Sequence, residues 1–252
     1  MRRTSAVSDP RVALVTGGAA RVGEVIVRAL ASAGYRVAIH ANRSLDRASE
    51  LVAELTAAGS EAAAFGAELR DEDATRAMID RARRHFGQLD LLVNNAAIWS
   101  PTPLETVMAD DVRRFFEVNT LPTFVCCQHA GLIMAEQSTG GAIVNIGDWA
   151  TARPYPGYSA YFASKGAIPT LTRTFAVELA PRVRVNAVLP GPVLIPEDVS
   201  PASQKRAIAG TLVQRAGRPE NVAHAVLFLA ENDFVTGVCL PVDGGRSIGH
   251  TG

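Results

Sequence analysis

The feature that most constrains this chain is a repeated change of hydrophobic period. Short, almost unbroken apolar runs alternate with amphipathic stretches along nearly the whole sequence. "RVALVT" (11–16) precedes "RVGEVIVRALASAG", where Val22, Ile26, Ala29, Leu30 and Ala33 share one helical face and Gly34 stands at the expected stop. "RVAIH" (36–40) leads to a helix that Ser44 is placed to cap and Gly59 to end. "EAAAFGAEL" leads to a helix opened by Asp71 and closed by Gly87. "LDLLVNN", "GAIVNIG", "RVRVNAVLP" and "FVTGVCLPV" continue the series, with long helical segments predicted at about 105–135 and 158–180. A strand that is apolar along its whole length is buried on both faces, so helices must cover both sides of a parallel sheet. The prediction is an α/β fold with one doubly wound domain and a seven-stranded parallel sheet.

Composition narrows the function classes. Lys+Arg and Asp+Glu number 25 each, so no basic field points to nucleic acid or an anionic membrane. No apolar run of the roughly 20 residues that span a bilayer occurs. Arg2 and Arg3 are followed by polar residues rather than a signal-peptide core, so residues 1–10 are expected to be a flexible leader and the location cytoplasmic. Cys126, Cys127 and Cys239 fit neither a disulfide framework nor a metal site, and read as buried thiols in a reducing compartment. No metal is expected.

Two turns point to a dinucleotide. "TGGAARVG" (16–23) lies between the first strand and first helix, where Gly17 and Gly23 let backbone N–H groups approach a pyrophosphate. Alone, such a turn also serves as an ordinary tight connection. After the second strand comes "IHANRS", with His40, Asn42, Arg43 and Ser44 but no acid to accept ribose hydroxyls. Arginine and serine suit a 2′-phosphate, so the expected cofactor is NADPH.

The chemistry is concentrated in "GDWATARPYPGYSAYFASK" (147–165). Of its three tyrosines only Tyr161 has a lysine four residues on, Lys165, on the same helical face. An ammonium there is expected to lower the phenol's pKa and suit it to pass a proton while a hydride arrives from nicotinamide.

With these elements assembled, the chain resembles the short-chain dehydrogenase/reductase family over nearly its whole length. The resemblance is carried by "TGGAARVG", "NNAA" (94–97), Asn119 in "FFEVN", Tyr161 with Lys165, "PGPV" (190–193) and "VTGVCLPVDGG". It implies a single NADP-binding Rossmann-type domain over 11–252, with a substrate lid at about 194–215 and a homotetramer built on the helices at 105–135 and 158–180. By the same resemblance Tyr161 is the proton donor, Lys165 holds the nicotinamide ribose and Asn119 supports a water-linked proton path. Arg21, Val22, Glu68, Leu69, Asn94, Ala96, Pro190, Gly191 and Val193 are implied to border the cofactor.

Two positions depart from the common family pattern and resemble its pteridine reductase branch. Arg21 stands where most members have glycine, and Asp148 stands in the usual serine place, thirteen residues before Tyr161. A serine would donate to a developing oxyanion. An ionised carboxylate suits a substrate whose nitrogen gains a proton, such as a pterin C=N bond. The plainer reading, a solvated loop aspartate, stays open at this point. The branch resemblance also implies Arg21, Trp99 and Tyr158 as substrate contacts, although a lone Trp also fits a core or interface. Ala97 stands where that branch often has serine. Two other functions remain in view: a general carbonyl or 3-oxoacyl thioester reductase, and an idle NADPH-binding sensor or scaffold.

Overall fold

The structure is a computed structural model that describes residues 10–194 and 200–249. The expected leader, apart from Pro10, and residues 195–199 of the expected lid lie outside the described residues. Seven parallel strands form one sheet in the order β3-β2-β1-β4-β5-β6-β7. They are β1 (Val12–Val15), β2 (Arg36–Ala41), β3 (Ala62–Gly66), β4 (Leu91–Asn94), β5 (Gly141–Ile146), β6 (Val183–Pro190) and β7 (Cys239–Val242). The order reverses at β1, whose neighbours are β2 and β4, so the turns leaving β1 and β4 diverge and open a crevice at their carboxyl ends.

Strand alternation divides the core between two faces. Ala13 and Val15 join a cluster with Ile26, Leu30, Val226 and Leu229, from α1 (Arg21–Ser32) and α8 (Pro219–Glu231). Val12 and Leu14 point the other way, into a cluster with Met78, Ile79, Cys127, Ala130 and Phe175. Those residues come from α3 (Glu72–Phe86), α5 (Leu121–Glu136) and α6 (Ser159–Glu178). Leu14 and Leu92 are fully buried. Truncating such a side chain to Ala costs about 2–5 kcal/mol, enough to make either essential to the sheet.

The expected helix ends are present, with one difference. Asp71 Oδ1 accepts from the Ala74 amide at 2.9 Å, and Gly87, at φ +83°, closes α3 through its amide to the Arg83 carbonyl. Ser44 does precede α2 (Leu45–Ala57), but its hydroxyl makes no capping bond. Its backbone, at φ −99° and ψ 41°, is not in the extended conformation usual for that role.

The long helical segment expected at about 105–135 is present from Ala109 to Glu136, but in three contiguous pieces. α4 (Ala109–Phe115) runs into a π-turn at Phe116–Thr120, and α5 follows. Pro122 supplies the physical reason: it has no N–H for the carbonyl four residues back, so the α ladder cannot pass through unchanged. Such π-turns often mark functional sites, and this one carries Asn119. The described part of the lid segment holds α7 (Pro201–Ala209), with Ser200 Oγ accepting from the Ser203 amide. Among the described residues no helix is long and apolar enough to cross a membrane, and no cluster of potential metal ligands occurs.

Candidate active site

The carboxyl ends of β1, β4, β5 and β6 enclose a cavity of about 460 Å³. β5 delivers Asp148 to it through Gly147, where an added Cβ would lie 2.4 Å from a Leu189 methyl and that side chain would have to shift. Asp148 then opens a single 3₁₀ turn, Trp149–Thr151, its Oδ1 accepting from the Ala150 amide at 2.8 Å. That bond leaves Oδ2 facing α6, where it accepts the Tyr161 hydroxyl at 2.7 Å. One turn further, the buried Lys165 ammonium donates to the Ile146 carbonyl at 2.8 Å. Asp148, Tyr161 and Lys165 thus meet on one wall of the cavity.

Burial sets the electrostatics. The Asp148 carboxyl is pushed above its ordinary value by loss of solvent, against the opposing pull of the Tyr161 hydrogen bond. Lys165 is pushed down to about 8 by burial, with Asp148 opposing. The Tyr161 phenol lies well above its ordinary value, first through burial and then through the Asp148 charge. This corrects the expectation that Lys165 lowers the phenol's pKa. Sharing a helical face does not make the ammonium the phenol's partner: the lysine bonds a backbone carbonyl and the phenol bonds a carboxylate.

Asn119 is fully engaged behind this wall. Its Oδ1 accepts from the Ile98 amide at 2.8 Å, and its Nδ2 donates to the Ile98 carbonyl and to Ser164 Oγ, both at 3.1 Å. Ser164 Oγ in turn donates to the Tyr161 carbonyl at 2.7 Å. Asn119 therefore ties the loop after β4 to the helix that bears the tyrosine.

The glycine turn forms the floor. Gly17 sits at φ +61°, and a Cβ on Gly23 would lie 2.1 Å from the Gly17 carbonyl oxygen, so both must be glycine. Arg21 and Val22 line the cavity beside them. Arg21 is at φ +54°, a left-handed backbone that costs an ordinary residue roughly 1–2 kcal/mol. His40 also borders the cavity, but both ring nitrogens are occupied: Nδ1 accepts from the Gly17 amide at 3.1 Å and Nε2 donates to the Ala67 carbonyl at 3.1 Å. Burial lowers its pKa, consistent with a neutral ring that braces the turn.

Asn94 does not reach the cavity. Its amide is buried against Asn145 Oδ1, at 2.9 Å, and the Cys127 thiol, because strand alternation turns the last residue of β4 away from the crevice. Its neighbour Asn95, missed in the sequence, lines the wall and anchors the glycine turn through Nδ2 bonds to the Thr16 and Gly17 carbonyls. Parity along β4 is the signal that could have found it. Glu68, Leu69, Ala96, Pro190 and Gly191 lie on the wall as expected. Val193 lies behind it, packed towards Gly217.

Trp99 borders the cavity with 40% of its surface exposed. Its ring stacks on Tyr158 at 4.9 Å and 17°. Tyr158 therefore backs the tryptophan and is not itself on the cavity wall. Asn42, Arg43 and Ser44 line a second cleft that continues the first past Gly17 and Ala20.

The fit to a dinucleotide is physical: a turn kept narrow by Gly17 and Gly23, the N-terminus of α1 and a continuous groove that ends at arginines. The family profile described as Enoyl-(Acyl carrier protein) reductase matches residues 18–247. The fold superposes on FolM alternative dihydrofolate reductase 1 from Brucella suis in complex with NADP, with TM-score 0.89, 33% identity and 98% of each chain covered. The Brucella canis counterpart, also with NADP, gives TM-score 0.87, 32% identity and 96% coverage of each chain. A 3-oxoacyl-[acyl-carrier-protein] reductase of Synechocystis sp. is 35% identical over 240 residues, covering 93% of this chain and 96% of its own.

Proposed function

The chain belongs to the short-chain dehydrogenase/reductase family and is an oxidoreductase; from that premise we propose that it uses NADPH to reduce the C=N bond of a pterin-like substrate. The carrying observation is the 2.7 Å hydrogen bond between Tyr161 and Asp148. The likeness to two NADP-bound dihydrofolate reductases supports the same reading.

When bound, NADPH supplies a hydride to the substrate carbon. Tyr161 and Asp148 supply the proton that the neighbouring nitrogen must gain. Burial raises the pKa of both groups, and the Tyr161 phenolic hydrogen, donated to Asp148 Oδ2, is the proton the pair holds for transfer. An incipient cation beside Asp148 is stabilised as the proton moves, whereas an alkoxide there would be repelled by the ionised form. Lys165 contributes a buried positive charge on the cofactor side, and Asn119 fixes α6 through Ser164. Trp99 offers its open ring to a planar heterocycle, a contact of about 1 kcal/mol. Arg21, Val22, Leu69, Ala96, Pro190 and Gly191 are assigned to the cofactor, as are Asn42, Arg43 and Ser44 at its adenosine end.

A second reading, a carbonyl or 3-oxoacyl thioester reductase, is favoured by the Synechocystis relative and by a carboxyl able to act as a neutral donor. We also infer a homotetramer, supported by the apolar surface that Leu121, Phe124 and Leu132 of α5 and Val177 of α6 expose, and a cytoplasmic location, supported by three free cysteines. NADPH oxidation with dihydrobiopterin and dihydrofolate, beside an acetoacetyl thioester and a quinone, separates the readings. Turnover of the pterins supports ours; turnover of the thioester alone replaces it with the second. Tight NADPH binding without any turnover would indicate a sensor.

A further inference from the structure

The second cleft, about 400 Å³, lies at the far end of the groove from Asp148. Three arginines line it, and of these Arg70 is paired with Glu68, which leaves Arg43 and Arg114. Arg43 arrives from the turn after β2 and Arg114 from α4 after β4, and these two strands flank β1. Neither guanidinium has a hydrogen-bond or ion-pair partner among the described residues.

Their neighbours are already satisfied. Arg113 is paired with Asp110, and Arg47 on α2 is ringed by Glu24, Glu50 and Glu54. Within the cleft, the Glu68 carboxylate is held at a pKa of about 2, chiefly by Arg70 at 3.0 Å, with Asn42 at 3.1 Å assisting. That pairing neutralises the one acid lining the cleft, so the charges left for a ligand are those of Arg43 and Arg114. Val118, one turn beyond Arg114, lines both cavities and places this side of α4 along the groove.

We propose that Arg114 is a cofactor-specificity residue that, together with Arg43, grips the ribose 2′-phosphate of NADPH from the β4 side of the groove. The inference rests on the NADPH reading above and extends it to a residue on another element. A phosphate monoester near neutral pH carries up to two negative charges and three acceptor oxygens, so it can be met from two directions by two guanidinium forks. NADH shares the adenine and pyrophosphate but offers no such group.

Calorimetric titration of NADPH, NADH and 2′,5′-ADP against the wild type, Arg114→Ala, Arg114→Lys and Arg43→Ala tests this. Arg114→Ala is expected to weaken NADPH and 2′,5′-ADP about tenfold while leaving NADH within about twofold. Arg114→Lys keeps the charge but loses the fork and is expected to fall between. Equal weakening of NADH would place Arg114 on the adenine or pyrophosphate, and unchanged NADPH affinity would place it on solvent; either overturns the proposal. If the wild type itself binds NADPH no better than NADH, the underlying cofactor reading fails instead.

Discussion

Tyr161 donates its phenolic hydrogen to Asp148 Oδ2 at 2.7 Å. The bond joins the end of a strand to a helix and holds two groups whose pKa values are both raised. A serine in the place of Asp148 would donate one hydrogen and accept others, but its hydroxyl does not ionise near neutral pH. A carboxyl can store a proton, release it and then stabilise the cation that results. On the proposed reading, substrate class turns on that side chain.

Replacing Asp148 with Ser should therefore divide the activities. Reduction of dihydrobiopterin is expected to fall by about a hundredfold in kcat, the low end of what a positioned general acid contributes. Turnover of a carbonyl substrate should hold steady or rise. Parallel progress curves on the two substrates read the split, and an equal loss on both would reject the division.

Much of this was legible in the sequence, and the remainder was hidden for definable reasons. The strands follow from their apolar runs, and the glycine turn from its place between β1 and α1. Tyr161 stood out because only it has a lysine one turn on. The effect of Lys165 on the phenol was misread because its partner, the Ile146 carbonyl, is a backbone atom on another element. Asn94 and Asn95 are adjacent letters, yet strand parity sends one into the core and the other to the cavity. The π-turn under Asn119 depends on Pro122, whose effect on the ladder is local, whereas the bonds from Asn119 to Ile98 and Ser164 are tertiary.

The pH dependence should carry two signatures. A proton-donating Asp148 requires its protonated form, so kcat/KM on a C=N substrate should fall as pH rises through the raised carboxyl pKa, about tenfold per unit beyond it. Asp148→Ser should erase that limb. Lys165 loses its charge as pH rises through about 8 in the free protein. NADPH affinity, followed by fluorescence titration, should weaken above that value; a profile flat from pH 7 to about 9.5 would remove Lys165 from the cofactor site.

Gly23→Ala probes the turn itself. The new methyl would lie 2.1 Å from the Gly17 carbonyl oxygen and 2.6 Å from Asn95 Nδ2, so the turn must open. Overpacking of this kind costs about 1–3 kcal/mol, and the displaced amides can no longer meet a pyrophosphate. A lowered Tm together with at least tenfold weaker NADPH binding is expected. Retained affinity in a destabilised protein would show that the turn is scaffold only.

Asp148→Asn sets stability against chemistry, and linkage gives the sign. The folded carboxyl titrates above its ordinary value of 3.8, so between those two values the native state binds more protons than the unfolded state. Stability conferred at this site therefore falls as pH rises through that window and stays reduced above it. Asparagine carries no charge, can accept from the Ala150 amide and can donate to the Tyr161 oxygen. The variant should match the wild type below about pH 3.8, exceed it in Tm by a margin that opens as pH rises to the raised carboxyl pKa and holds constant above it, and lose pterin reduction. A margin independent of pH would mean that Asp148 is not destabilised by burial, and the argument for its stored proton would fail with it.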